Sequence, residues 1–193
     1  MSNPLGGNFS VVLDACVLWP NSLRDTLLRL AETPRLYTPQ WTDRIWEEVL
    51  QNLSARRGLN SRQMDHLLSQ VKKHFPEAFV TGYEPLVDLM SNDPKDRHVL
   101  AAAVRGDAQV IVTFNLKDFP PIALSHWGIE AQHPDDFLLY QYDLNPTVVI
   151  SKLHEQAANI GRTLAALLKT LQKGVPEFAD KVARKLELEI EAR

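Results

Sequence analysis

The sequence predicts an α/β protein with a doubly wound, mostly parallel sheet that is flanked by helices and followed by a C-terminal helical hairpin. Short apolar runs that suit strands alternate with segments whose apolar residues recur at helical spacing, a pattern typical of parallel sheets. After Asn145-Pro146 the pattern is helical, with one interruption at Gly174-Val175-Pro176. We therefore expect an α/β domain over residues 9–144 and a helical extension over residues 145–193.

Five short segments are candidate strands. Residues 110–112 read Val-Ile-Val, a continuous apolar run expected of a parallel strand that is covered on both faces. Residues 9–13 form another apolar run and lead directly into Asp14. The other candidates are residues 35–39, 78–83 and 129–132.

The segment before residues 110–112 predicts a helix with defined ends. Asp93 suits the capping position, and Pro94 suits the first helical position, where a missing N–H does no harm. Asp96 would then lie in the first turn, where the helix dipole favours an anion. Gly106 can supply a left-handed residue just past the last turn.

The remaining helices are predicted from apolar spacing. Within the α/β domain they begin near Leu23, Trp41, Asn60 and Pro134. In the extension, one apolar stripe runs from Ile150 to Leu171 and another from Phe178 to Ile190. The extension is therefore expected to hold two helices joined by a short turn.

The bulk properties indicate a protein of the cytoplasm. Cys16 is the single cysteine, which excludes an internal disulfide and suits a reducing compartment. The first eight residues lack the basic and apolar regions of a signal peptide, and no run approaches the roughly 20 apolar residues that cross a bilayer. The formal net charge is −3 at pH 7, so no general basic field indicates nucleic-acid binding.

Acidic residues lie where a doubly wound fold would gather them. Asp14 ends the first strand, Asp96 precedes an apolar helix, Glu48 lies in an earlier helix, and Asp118 follows the strand at residues 110–112. Open α/β sheets bind ligands beyond the carboxyl ends of their strands. Carboxylates without cysteine or histidine partners are hard-oxygen ligands, so the pattern predicts a site for Mg²⁺ or Mn²⁺. Thr113 could donate a hydrogen bond to one of these carboxylates.

Each of these residues also has a purely structural interpretation. Asp14 can be a turn residue, Asp96 can serve the helix dipole, and Glu48 can be a solvated surface charge. Cys16 is most simply a small buried hydrophobe. The six histidines show no metal-binding spacing and are interpreted as surface or core residues, and the four tryptophans are interpreted as packing groups.

Four segments together resemble the PIN domain, the fold of many bacterial toxin ribonucleases of the VapC type. They are residues 11–15 (VVLDA), 45–53 (IWEEVLQNL), 93–103 (DPKDRHVLAAA) and 110–119 (VIVTFNLKDF). The resemblance covers roughly residues 9–140, and its third and fourth segments are the most specific. It implies a PIN-like fold and a metal-dependent endoribonuclease that cuts single-stranded RNA.

The resemblance carries the acidic site over residue by residue. Asp14 matches the acid after the first strand, and Asp96 matches the acid before the apolar helix. Glu48 matches the helical acid and is preferred over Glu47, because it fits the acid-x-x-x-x-leucine spacing to Leu53. The resemblance thus implies that these three residues bind Mg²⁺ or Mn²⁺ and take part in catalysis.

Two positions depart from the family pattern. The fourth acid usually follows the threonine of the fourth strand directly, and Asn115 stands there in this chain. An amide oxygen can still bind a hard cation but lacks the negative charge, so Asp118, three residues on, is the alternative fourth ligand and catalytic acid. Position 16, which often holds Asn or Ser in the family, holds Cys16.

The resemblance also implies partners. Lys95, Arg97 and Lys117 flank the acids and are candidate contacts to the RNA backbone, although they can equally be ordinary surface charges. A VapC-type protein would have a small antitoxin partner that buries the site, and it would form a homodimer through the α/β domain. No membrane partner is expected.

Two other functions fit parts of the sequence. A non-catalytic PIN-like module that binds RNA or a protein would explain Asn115 in place of an acid. A phosphotransferase of the haloacid dehalogenase kind also begins with an Asp after its first strand. That chemistry needs a second Asp two residues later, where this chain has Cys16.

Overall fold

Within residues 9–187, four short strands form a sheet in which every neighbouring pair is parallel. The computed structural model describes residues 9–187. The strands are β1 (Ser10–Leu13), β2 (Thr38–Gln40), β3 (Val110–Val112) and β4 (Glu130–Gln132). Their order is β2-β1-β3-β4, and Val12 at the centre is paired with Gln40 on one side and Ile111 on the other. The predicted α/β class with a parallel sheet is confirmed.

Helices make up most of the remaining described residues. The α-helices are α1 (Ala15–Leu18), α2 (Asn21–Leu30), α3 (Asp43–Arg57), α4 (Ser61–His74), α5 (Arg97–Arg105), α6 (Pro121–Leu124), α7 (Pro134–Leu144), α8 (Pro146–Asn159), α9 (Leu164–Leu171) and α10 (Pro176–Lys185). Single 3₁₀ segments span Pro76–Ala78, Glu84–Leu89, Leu116–Asp118 and Ser125–Trp127. Within residues 9–187, none of these helices has both the length and the apolar character needed to cross a membrane.

The described chain groups into two compact units. Residues 9–19 and 38–132 form the sheet unit, and residues 20–37 and 133–187 form the helical unit. The boundary predicted between residues 144 and 145 stays a prediction, and this grouping places α7 with the helices that follow it. Residues 188–193 of the predicted extension, including Ile190, lie outside the described residues.

The core of the sheet unit forms around β1, β3 and α5. Both strands are apolar and buried, and α5 packs against both of them with its run from Val99 to Ala103 fully buried. On α3, the Thr42 side chain accepts a hydrogen bond from the backbone N–H of Ile45, which caps the helix start. Trp41 and Trp46 are fully buried in edge-to-face contact, so the prediction that they are packing groups is confirmed.

The segment at residues 78–83 was predicted as a strand, and that prediction is wrong. Trp41 and Phe79 form a single isolated bridge, in which Trp41 donates to the Ala78 carbonyl and Val80 donates to the Trp41 carbonyl. Gly82 then takes a left-handed conformation with φ of +70°. That turn leaves too little extended chain for a strand.

The start and end of α5 also differ from the prediction. The helix begins at Arg97, because residues 94–96 form a turn in which the Asp93 side chain accepts from the Lys95 N–H. Gly106 has an ordinary φ of −87° rather than a left-handed conformation. Its carbonyl accepts a hydrogen bond of 2.7 Å from the Gln40 side chain, which lies so close that a Cβ at position 106 would collide with it.

The described part of the C-terminal segment, residues 145–187, is helical, as predicted, but it contains three helices rather than two. Gly161 takes a left-handed conformation with φ of +63° after α8, and Thr163 caps the start of α9 through the Ala166 N–H. Ile160, which the predicted stripe placed on a buried face, is 47% exposed. The sequence did not predict the break between α8 and α9, because apolar residues recur at helical spacing on both sides of Gly161.

The helical unit ties two of its helices together through one buried carboxylate. Asp135, in the first turn of α7, accepts hydrogen bonds from the backbone N–H groups of Glu177 and Phe178 at 3.0 and 2.8 Å. These groups begin α10, where no residue of α10 itself caps them. Asp135 is only 6% exposed, so it caps a neighbouring helix from within the core of the unit.

We expect Asp135→Ala to lower the free energy of unfolding by about 3 kcal/mol, because it removes two hydrogen bonds to a charged group and leaves the Phe178 N–H buried without its partner. Urea denaturation followed by circular dichroism measures the change. The adjacent Asp136 is exposed in the same helical turn. Asp136→Ala is therefore the matched control, expected to change stability by less than about 0.5 kcal/mol. Equal effects of the two substitutions would contradict the cap.

Candidate functional site

Asp14 lies at the carboxyl end of β1 and is nearly buried, with 4% of its surface exposed. Its backbone N–H donates to the Val112 carbonyl at 3.1 Å, which fixes it beside the end of β3. One oxygen of its side chain, Oδ2, accepts a 2.7 Å hydrogen bond from the Thr113 hydroxyl. The prediction that Thr113 hydrogen-bonds a carboxylate of the site is confirmed.

Cys16 contributes to the same site, which the sequence did not indicate. Its thiol donates to Oδ2 of Asp14 at 3.1 Å, and its sulfur accepts from the backbone N–H of Phe114 at 3.2 Å. Burial and the neighbouring Asp14 charge raise the pKa of the Cys16 thiol well above its usual range. The side chain therefore stays protonated and acts as a polar partner of Asp14, rather than as the small hydrophobe that was predicted.

Asp96 lies in the turn before α5 and is 8% exposed. Burial raises the pKa of its carboxyl to about 6, and the charges of Asp14 and Asp118 raise it as well, against the opposing effect of Lys95. Its Oδ2 atom is buried without a hydrogen-bond partner among the described residues. Three aspartates that are distant in the sequence thus interact at one end of the sheet.

Lys95 connects two of these aspartates. Its Nζ atom lies 3.0 Å from Oδ2 of Asp118 and 3.8 Å from Oδ2 of Asp96. The hydrogen bond to Asp118 is the main cause that raises the pKa of the Lys95 ammonium. The backbone N–H of Asp93 also donates to the Asp118 carbonyl at 3.2 Å. These contacts hold the 3₁₀ turn at residues 116–118 against the turn before α5.

Glu48 approaches the site from α3 through a different neighbour. Its Oε1 atom lies 3.1 Å from Nε2 of His98 on α5 and 3.7 Å from Nε of Arg44. The Glu48 side chain is 34% exposed, whereas Glu47 is an exposed residue, so only Glu48 faces another element of the unit. The charges of Asp14 and Asp118 thus act on Asp96, and Glu48 contacts the helix that follows Asp96.

The other predicted site residues lie around these acids. The backbone N–H of Asn115 donates to the Thr113 hydroxyl at 3.0 Å, and its carbonyl accepts from the Asp118 N–H. Lys117 is exposed on the same turn. Arg97 is half-buried, and its Nε donates to the Asn92 carbonyl at 3.5 Å. Asn115 and Lys117 thus lie on the segment that joins Thr113 to Asp118.

The side chains of the site are of the types that bind hard cations, although within the described chain no three of the acidic ones lie close enough together to share one ion. Asp14, Asp96 and Asp118 offer carboxylate oxygens, and Asn115 offers an amide oxygen. Oδ2 of Asp96 is buried without a hydrogen bond to any described residue, and the Lys95 ammonium lies 3.8 Å from it. Across residues 9–187, no three His, Cys, Asp or Glu side chains form a group that could hold a metal ion. The residue types fit Mg²⁺ or Mn²⁺, and closing a full ligand set would need movement of these side chains.

Comparison with known proteins gives consistent matches to both parts of the chain. The family described as PIN domain matches residues 10–117, and the family described as VapC50 C-terminal domain matches residues 134–184. A curated protein of Mycobacterium tuberculosis named "Putative ribonuclease VapC50" is 49% identical over 110 residues. That match covers 55% of this chain and 65% of the relative, so the chain spans less than two thirds of the relative's length. No solved structure matches the chain significantly.

The raised pKa of Asp96 predicts a dependence of stability on pH. The carboxyl titrates at about 6 in the folded protein and at about 3.9 in an unfolded chain. Its ionisation therefore opposes folding, with the full penalty above about pH 6 and none below about pH 4. We expect Asp96→Asn to raise the free energy of unfolding by about 2 kcal/mol at pH 7 in EDTA, and this gain should shrink towards pH 4.

Thermal denaturation at pH 7 and pH 4.5 measures this difference. Asp65→Asn, at an exposed position of α4, is the control, and it should change the free energy of unfolding little at either pH. An Asp96→Asn protein that is no more stable than wild type at pH 7 would contradict the electrostatic account of the site.

Proposed function

Because the chain belongs to the PIN-domain family, we propose that it is a divalent-metal-dependent endoribonuclease that hydrolyses single-stranded RNA. The observation that supports this best is the approach of three buried aspartates from separate segments at the carboxyl ends of β1 and β3. Burying like charges together is costly, and a bound cation is the usual compensation.

In this proposal Asp14 and Asp96 hold Mg²⁺ or Mn²⁺, with Glu48 and either Asn115 or Asp118 completing the ligand set. Such a cation, when bound, supplies a water of lowered pKa and offsets the charge that builds on the phosphate. Asp14 has a fixed orientation, because the Thr113 hydroxyl binds one of its oxygens. The role of Thr113 is therefore to present the other oxygen of Asp14 in a constant direction.

Lys95, Arg97 and Lys117 are the proposed contacts to the RNA backbone. Lys95 and Lys117 are exposed, and Lys95 reaches the aspartates, so a phosphate bound by it would lie next to the carboxylates. Lysine and arginine contacts to phosphates do not discriminate between sequences. These residues would therefore position an RNA strand without recognising its sequence.

The matches support a biological role that follows from the same proposal. The relative is named a VapC50 ribonuclease, and the C-terminal segment matches the VapC50 C-terminal domain. We infer that the chain is the toxin of a toxin–antitoxin pair in the cytoplasm, with a small antitoxin protein that covers the site. A homodimer formed through the α/β domain belongs to the same proposal.

One observation favours a second function, a non-catalytic PIN-like module that binds RNA or a protein. Asn115 replaces an acid, and within residues 9–187 no three acidic, histidine or cysteine side chains are close enough to hold a metal ion. Metal binding separates the two functions, because a module without catalysis has no need of a cation. The first experiment below therefore measures binding as well as cleavage.

We expect Asp96→Asn to keep the fold and to abolish divalent-dependent cleavage of a labelled single-stranded RNA. Mn²⁺ should raise the melting temperature of the wild-type protein, because it binds the folded state only, and should raise that of Asp96→Asn much less. Asp65→Asn, on the surface of α4, should retain both effects. Full cleavage by Asp96→Asn would overturn the proposed site, and cleavage by wild type in EDTA would overturn its dependence on a divalent metal.

We expect Lys117→Gln to weaken RNA binding and to lower the slope of log affinity against log salt by about 0.7, the value for one contact to a single strand. Fluorescence anisotropy at several salt concentrations measures this, with Asp96→Asn present in all proteins to prevent cleavage. Lys73→Gln, at an exposed position of α4 in the same unit, is the charge-matched control. Identical salt slopes for the two variants would remove Lys117 from the RNA contacts.

A further inference from the structure

His98 is a buried imidazole in contact with Glu48, the glutamate of the proposed site. It lies on α5, two residues after Asp96, and is 1% exposed. Its Nε2 atom lies 3.1 Å from Oε1 of Glu48, in a direction that falls short of hydrogen-bond geometry. Its Nδ1 atom has no hydrogen-bond partner among the described residues. A small rotation of either side chain would convert the contact with Glu48 into a hydrogen bond.

Glu48 needs such a partner to act as a ligand. Its side chain is 34% exposed on α3, and its contact with Arg44 is 3.7 Å long and involves a side chain that is 49% exposed. Exposed ion pairs of this kind constrain a side chain weakly. A half-exposed glutamate would therefore sample several rotamers. Binding a cation would restrict it to one of them, at a cost in conformational entropy.

Packing alone does not account for a histidine at position 98. The residues that follow it on α5 are Val99, Leu100 and three alanines, all of them fully buried. An apolar side chain at position 98 would avoid the cost of burying two ring nitrogens without hydrogen bonds. The polar contact with Glu48 distinguishes position 98 from its buried neighbours.

We propose that His98 is a positioning residue, which holds the Glu48 carboxylate towards Asp96 and so completes the cation site. This inference rests on the proposed nuclease function, because it assumes that Glu48 is a ligand. His98 connects α3 to the helix that follows Asp96, so the two acids are presented by elements joined through one buried ring. Partners that orient a metal ligand typically change metal affinity by roughly 10- to 100-fold when they are removed.

A double-mutant cycle with Mn²⁺ as the probe tests the proposal. Isothermal titration calorimetry on the full chain measures Mn²⁺ affinity for wild type, His98→Leu, Glu48→Gln and the double variant. His98→Gln is included because its amide can place a donor near the position of Nε2, while His98→Leu cannot. Arg44→Gln is the matched control, because Arg44 approaches the same Glu48 oxygen from the exposed side. Thermal unfolding in EDTA shows whether each variant is folded.

We expect His98→Leu to weaken Mn²⁺ binding at least tenfold, as Glu48→Gln does, and to cause no further loss in the Glu48→Gln background. His98→Gln should recover most of the affinity, and Arg44→Gln should change it less than about threefold. A purely structural histidine would lower the melting temperature in EDTA without this dependence on Glu48.

Three results would overturn the proposal while leaving the nuclease function intact. In the first, His98→Leu binds Mn²⁺ as tightly as wild type does. In the second, the loss of Mn²⁺ affinity caused by His98→Leu adds in full to the loss caused by Glu48→Gln. If Glu48→Gln has no effect but Asp96→Asn still abolishes binding, Glu48 is not a ligand, and the role of His98 is excluded. Failure of the wild-type protein to bind Mn²⁺ would overturn both proposals.

Discussion

The close approach of buried carboxylates is the constraint on which the sheet unit depends. Asp14, Asp96 and Asp118 would each be better solvated apart, and the fold compensates them unequally. Asp14 receives a hydrogen bond from the neutral Thr113 hydroxyl, and Asp118 faces the Lys95 ammonium. Asp96 keeps a buried oxygen without a hydrogen bond. Burial and the neighbouring charges accordingly raise the pKa of the Asp96 carboxyl above its usual range.

Much of this arrangement could be predicted from the sequence, because its signals are local. The apolar run at residues 110–112 identified a strand covered on both faces, and the acid that follows residues 11–13 placed Asp14 at the end of another. Parallel strands end at the same edge, so Asp14 and Thr113 were expected at one edge of the sheet, and the pairing of β1 with β3 makes them neighbours. The choice of Glu48 over Glu47 came instead from the resemblance to the PIN domain, through the spacing to Leu53, and Glu47 is indeed an exposed residue.

The features that the sequence did not predict depend on neighbours from distant segments. A lone cysteine has no local pattern that identifies it as a donor, and Cys16 becomes one because Asp14 and Phe114 surround it. The histidines were interpreted as surface or core residues, and His98 is a core residue, but its local sequence cannot show that a glutamate lies opposite. The break at Gly161 was missed because apolar residues on both sides imitate one continuous stripe.

Gly106 has a consequence for which sequence changes the protein can accept. Its φ of −87° is open to any residue, so backbone angles alone would permit substitution. The obstacle is the Gln40 amide, which donates to its carbonyl and occupies the space that a methyl group would need. Gln40 ends β2 and Gly106 follows α5, so this hydrogen bond joins the ends of two elements. A side chain at position 106 would displace the Gln40 amide and break that bond, which favours glycine here although the backbone angles do not require it.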